Sequence, residues 1–172
     1  MMSLCILAQG SKRPFQRYYP GLRHTSRDLD GLRIAMVPAA GSLSADAIST
    51  FHDGLGVYCA MKQDASRLDL ASRLAQSAID VLVIDGSNEP SAERLVDFCM
   101  ETRRTVPSMP LLLVSRWIRL TDLSRERAPI CDASIHIPCG RSSIMEALAA
   151  AVENHRQTCE CASPSSRIAQ AW

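Results

Sequence analysis

Two uninterrupted aliphatic runs, Val81-Leu82-Val83-Ile84 and Leu111-Leu112-Leu113-Val114, constrain this chain more than anything else in it. Each is too short for a stable helix and lacks the apolar–polar alternation of a half-exposed strand. A strand without alternation is covered on both faces, which is the condition of a parallel sheet held between helices. The first run is entered through Asp80 and ended by Asp85-Gly86. The second follows Pro107 and Pro110 and ends at Ser115.

The flanking residues supply the rest of such a sheet. Leu32-Arg33-Ile34-Ala35-Met36-Val37, stopped by Pro38, reads as the first strand, residues 57–61 as the second, and residues 130–137, centred on Ser134-Ile135-His136-Ile137, as the fifth. Helical spacing predicts a helix over residues 42–55, with Leu43, Ala47, Ile48, Phe51 and Leu55 on one face, and another over residues 66–78 through Leu70, Leu74 and Ala78. Ser91 caps a third helix carrying Leu95, Phe98, Cys99 and Thr102, and a weaker one is expected over residues 117–127. The capping box Ser143-Ile144-Met145-Glu146 opens the last, whose inner face is Ile144, Leu148, Ala151 and Val152. Five strands alternating with five helices specify an α/β fold, a doubly wound five-stranded parallel sheet. Ligand chemistry in such a sheet belongs at the carboxyl ends of the strands. There the sequence has Pro38-Ala39, Lys62, Asp85-Gly86, Ser115-Arg116 and Pro138-Cys139.

With 172 residues, 47% of them hydrophobic, the chain can build one ordinary core without a metal or disulfide staple. Residues 1–31 read as a flexible basic arm, holding Lys12, Arg13, Arg17, Arg23 and Arg27 beside Tyr18 and Tyr19. Residues 32–155 form the domain and residues 156–172 a flexible tail. The formal net charge of +1 argues against a global grip on nucleic acid or anionic lipid. No stretch reaches the ~20 apolar residues that cross a bilayer. Seven cysteines in a chain with no secretory pattern read as reduced thiols of a cytoplasmic protein. Cys159-Glu160-Cys161 cannot complete a tetrahedral zinc site alone, so no metal and no cofactor is expected.

These residues resemble the receiver domain of two-component response regulators. The resemblance rests on the (βα) order, on Asp80 to Asp85, on Ser115 closing the fourth strand and on Pro138 closing the fifth. It implies flavodoxin-like topology with strand order 2-1-3-4-5, Asp85 as the position that accepts a phosphoryl group from a histidine kinase, Ser115 as the hydroxyl that binds that phosphate, and a cis Ile137–Pro138 bond. The family also uses an acidic pair after the first strand to hold Mg²⁺, and a lysine before the proline of the fifth. Here those places read Val37-Pro38-Ala39-Ala40 and Ile137, and the family's aromatic switch position falls on Ser134. Arg116 stands where the family has a small residue, and a bidentate pair with Asp85 would mimic or block the phosphorylated state. The resemblance therefore implies a degenerate receiver in which Asp85, Ser115 and Arg116 are vestigial.

Several functions follow from this pattern. The first is a non-enzymatic signalling adaptor that acts by contact with a protein partner, such as a histidine kinase or another signalling protein, with Trp117 and Ile118 as candidate docking residues. Homodimerisation stays open. About 20 residues follow Val152, too few for a helix-turn-helix domain, so output is expected to run through protein contact. The alternatives are a genuine phosphoacceptor at Asp85, with Asp46 or Glu89 reaching in for a displaced metal, and a small flavodoxin-like enzyme with Cys139 or Asp85 as nucleophile. His136, inside an apolar strand, is expected to be a hydrogen-bonded core histidine.

Overall fold

The computed structural model describes residues 32–55, 59–60, 74 and 79–162. The expected basic arm, most of the helix expected over residues 66–78, and the end of the tail lie outside these residues. Leu74, from that helix, is helical and buried.

Five strands form one parallel sheet: β1 (Ile34–Pro38), β2 (Cys59–Ala60), β3 (Val81–Asp85), β4 (Leu111–Ser115) and β5 (Ala133–His136). Their order is β2-β1-β3-β4-β5, as expected from the sequence. Every residue of β1, β3 and β4 is buried, which is why these strands are written without polar alternation.

Alternation reappears in which face each residue serves. Ile34, Met36, Val81, Val83, Leu112 and Val114 pack on one side of the sheet, against Ala47 and Phe51 of α1 (Ala45–Leu55) and Ile144, Leu148 and Ala151 of α3 (Arg141–Ala162). Ala35, Val37, Leu82, Ile84, Leu111 and Leu113 pack on the other, with Leu74 and with Cys99 of α2 (Ala92–Thr105). Each fully buried leucine, isoleucine or phenylalanine contributes about 1.5–3 kcal/mol, so the two cores together specify the sheet. Registers Pro38↔Asp85, Asp85↔Val114 and Ser115↔His136 bring the carboxyl ends of β1, β3, β4 and β5 level with one another.

The helix caps show which sequence signals held. Ser91 caps α2, its side chain accepting from the Arg94 N–H. Ser44 caps α1 by accepting from the Ala47 N–H at 3.2 Å, so this helix starts three residues later than expected. On α1, Ala47 and Phe51 are buried while Ile48 is 38% exposed, so the inner face is narrower than its apolar count. Ser143 is not a cap. The helix already begins at Arg141, with the Gly140 carbonyl accepting from the Ile144 N–H. α3 also runs to Ala162, past the domain end expected at His155. Arg156 pairs with Glu153 and Glu160 one turn away on either side, and Thr158 donates to the Asn154 carbonyl. These contacts continue the helix through a stretch whose composition reads as tail.

The helix expected over residues 117–127 does not form. That segment has few apolar residues to bury, and its backbone is used otherwise. Asp122 makes an antiparallel bridge with Ser134, exchanging two 2.8 Å hydrogen bonds along the outer edge of β5. Trp117 and Leu120 are left 63% and 80% exposed. His136 is exposed too, its Nδ1 3.0 Å from the Ile118 carbonyl, because β5 is an edge strand and none of the described helices covers that end.

Asp122 holds this segment in shape. Its carboxylate accepts from the Ser124 hydroxyl at 2.7 Å and from the Ser124 N–H at 2.9 Å, and lies 3.0 Å from Arg127. Those bonds, the hydroxyl's first, hold its carboxyl below the usual aspartate value. A depressed carboxyl stabilises the fold above the unfolded-state value near 3.9, and that contribution fades as pH falls through the lower folded value. An acid titration followed by Trp117 fluorescence, in a Trp172→Phe background, is therefore expected to show a local transition that Asp122→Asn removes.

Candidate functional site

Asp85 ends β3 with its side chain 1% exposed. One carboxylate oxygen, Oδ2, accepts from the Ser44 N–H at 2.6 Å. The other, Oδ1, accepts from the Ser87 N–H at 3.0 Å. The second bond is the local turn that an aspartate makes with the residue two places on. The first crosses 41 residues of sequence and ties the start of α1 to the end of β3.

The loop between β1 and α1 is thereby drawn over the strand end. Gly41 turns it with a φ of +64°, a conformation that favours glycine, and the Asn88 side-chain amide donates to the Ser42 carbonyl at 2.8 Å. This is the place where the resemblance implies a metal held by an acidic pair. The residues present do not fit one. Pro38 and Ala39 offer no carboxylate there, and both oxygens of Asp85 already accept from backbone N–H groups. Neither of the carboxylates considered as substitutes joins Asp85 in a cluster of metal ligands among the described residues. Glu89 is buried, but it accepts from the Ser91 N–H and lies 3.9 Å from Arg94, so it serves the start of α2. Asp46 sits in the first turn of α1. Among the described residues no three His, Cys, Asp or Glu side chains gather as metal ligands.

Ser115 closes β4 at 1% exposure, and its hydroxyl oxygen accepts from the Trp117 N–H at 3.1 Å. Ser87 joins the two loops: its hydroxyl accepts from the Arg116 N–H and its carbonyl from the Trp117 indole N–H at 2.8 Å. Trp117 is thus pinned by its polar edge while its ring stays in solvent.

Arg116 does not pair with Asp85, one of the arrangements its position allowed. Both Asp85 oxygens are engaged by backbone donors, and the Arg116 guanidinium lies 4.9 Å from the centre of the exposed Trp117 ring. A cation stacked on an exposed ring keeps its hydration, which a pair with a buried carboxylate would forfeit. Cys139 lies between β5 and α3, partly buried, and burial pushes its thiol above the ordinary value, against the demand on a nucleophile. The Ile137–Pro138 bond is cis, as the resemblance implied.

Sequence reasoning missed Ser44 and Ser87, the two residues that engage Asp85. Both act through main-chain N–H groups, which any residue possesses. The one available signal was Ser44 as one of two capping-type serines, with Ser42, after Gly41.

No family model matches the sequence, and no curated protein does so either. Solved structures do. The chain is similar to a putative pilus assembly-related protein from Burkholderia pseudomallei, at 17% identity over 78% of this chain and 96% of that one, with a TM-score of 0.48. It is similar to a response regulator receiver domain protein from Clostridium thermocellum, at 12% identity over 74% of this chain and 98% of that one, with a TM-score of 0.46. A response regulator receiver protein from Sinorhizobium medicae is similar at 17% identity over the same shares, with a TM-score of 0.46. What the molecule itself displays is a receiver-like fold, five parallel strands in the order 2-1-3-4-5 with helices on both faces.

Proposed function

We propose that this chain is a receiver-like signalling module that acts by contact with a protein partner and takes up no phosphoryl group. The observation that carries this reading is the state of Asp85. Phosphoryl transfer needs a carboxylate oxygen free to attack in line, and fixed positive charge to offset the repulsion between two anions. Both oxygens here are hydrogen-bonded to the backbone in a buried position, and among the described residues no acidic pair, lysine or inward-facing arginine accompanies them. Asp85 works as a clamp between β3 and α1.

A contact surface stands beside the silent site. Trp117 and Leu120 project from the irregular segment after β4, with Arg116 and Arg119 exposed around them. Exposed aromatic and arginine side chains on a backbone pinned by hydrogen bonds suit a docking surface. The partner is a protein of the signalling apparatus, a histidine kinase among the candidates, and the module itself is not an enzyme. The raised thiol of Cys139 supports that reading over a thiol enzyme. No helix among the described residues is long and apolar enough to cross a membrane, and a cytoplasmic setting goes with the reduced cysteines.

The test is to incubate the protein with Mg²⁺ and a small acyl-phosphate donor and follow its intact mass. The expected result is no added phosphoryl group over the time in which an ordinary receiver labels fully. Stoichiometric labelling that Asp85→Asn abolishes would overturn the proposal.

A further inference from the structure

Helix α2 carries a second apolar stripe that neither core uses. Its inner side is Leu95, Phe98 and Cys99, packed against the sheet, with buried Thr102 one turn on. Glu93, Val96, Asp97 and Met100 fall on the opposite side, at the i, i+3, i+4, i+7 spacing that lines up one face of a helix. Glu93 and Asp97 are exposed. Val96 and Met100 are partly buried, yet they belong to neither hydrophobic cluster. Arg104, also exposed, closes the stripe in the last turn, so its acidic part is the first two turns. Apolar residues bordered by carboxylates on the outside of a helix make one half of a helix-docking contact.

The other half stands on the same chain. Arg116-Trp117-Ile118-Arg119-Leu120-Thr121 holds two cations and no acid. Trp117 and Leu120 are the most exposed large apolar side chains among the described residues, and Arg116 and Arg119 are exposed beside them. Ile118 packs inward against the core and anchors the segment from beneath. The Trp117 ring is held before any partner arrives, because its indole N–H donates to the Ser87 carbonyl and its backbone N–H to the Ser115 hydroxyl oxygen. A side chain already fixed loses little freedom when it is covered.

We propose that this chain associates with a second copy of itself, the outer stripe of α2 on one copy seated on the Trp117–Leu120 surface of the other. Glu93 and Asp97 face Arg116 and Arg119 across the contact, and Val96 and Met100 cover the ring and Leu120. Charge selects this occupant. Two copies of the cationic surface repel each other, as do two acidic stripes, and only the unlike pair attracts. Residues 1–31 of the chain are basic and carry the wrong sign for the same surface. The contact joins two different patches, so a pair of copies leaves one patch of each kind for further growth or for closure into a ring. The inference rests on the docking reading of Trp117 and Leu120 and names what docks there; it is independent of the silence of Asp85.

Sedimentation velocity of the full chain, kept reduced and taken into the high-micromolar range, tests it. The wild type is expected to self-associate, and to do so less as salt rises, because the paired charges are exposed before contact. Leu120→Asp sets a carboxylate against the acidic stripe, and Asp97→Arg sets a guanidinium against Arg116 and Arg119. Each variant alone is expected to lose at least about tenfold in association, the effect of one misplaced charge in a contact. Both positions are exposed, so the thermal transition of each is expected to match the wild type. Mixed in equal amounts, the two are expected to recover association that neither shows alone. One keeps an intact α2 stripe and the other an intact Trp117–Leu120 surface, and recovery also requires both to be folded.

A wild type that stays monomeric would overturn the second copy as occupant and leave the surface to another protein. Association that Leu120→Asp breaks but Asp97→Arg does not would overturn the role of α2 alone. Association untouched by Leu120→Asp would overturn the docking reading together with this one. A mixture of folded variants that recovers nothing would also overturn the proposal, because unlike patches must complement each other.

Discussion

Arg103→Ala is expected to cost the fold about 3–5 kcal/mol, because removing one partner of a buried ion pair leaves the other charge without compensation. Asp132 is the residue stranded. Its side chain is 1% exposed, Arg103 Nη2 is its charged partner at 2.6 Å, and one oxygen already lacks a hydrogen bond. The damage is also topological. Arg103 ends α2, Asp132 precedes β5, and His155 belongs to α3, so one guanidinium joins three elements. A loss of that size is a large fraction of the 5–15 kcal/mol that typically holds a domain together. Urea denaturation of the single variants and of Arg103→Met/Asp132→Leu measures it. The double variant is expected to lose less than Arg103→Ala, since replacing both charges with apolar groups removes the stranded ion. The Leu111 N–H then loses its acceptor, which keeps the double variant below wild type.

Asp85→Ala is expected to lose about 2–6 kcal/mol, the sum of two buried N–H groups left without acceptors. Asp85→Asn is expected to lose less, because its carbonyl still satisfies one donor while its NH₂ meets the other head-on. Equilibrium unfolding of both variants checks the order. If Asp85→Asn raised stability, the carboxylate would be a strained functional group and not a clamp, and the phosphoacceptor reading would return. Hydrogen exchange offers a finer check. The Ser44 N–H is expected to exchange faster in Asp85→Ala, and α1 to fray from its first turn, because that turn is joined to the sheet through Asp85 Oδ2.

The strands were legible because burial on both faces leaves a mark in composition. Val81 to Ile84 and Leu111 to Val114 have no polar residue to place, so no half-exposed arrangement accepts them. Parallel order followed from the alternation with helical periodicity, and Asp85 and Ser115 were found because strand ends are where such a sheet presents side chains. Residues 117–127 failed as a helix for the converse reason. Their spacing permits one, but too little apolar surface is there to hold it, and pairing Asp122 with the edge of β5 satisfies backbone groups that a helix would have satisfied locally.

Taken alone, the sequence determined the strands and the residues that stand at their carboxyl ends, because these depend on periodicity and burial, which each segment carries within itself; the strand order was what the resemblance implied. Only the tertiary structure decided what those residues do. The Asp85 carboxylate is occupied by the N–H of Ser44, 41 residues away, and a main-chain donor has no side-chain signature. Arg116 turned to Trp117 because the interior partner was already taken. Arg103, Asp132, His155 and Cys159 are ordinary residues spread over α2, the approach to β5, and α3. Their meeting depends on how helices land on the two faces of the sheet, and that is set by packing across the whole domain.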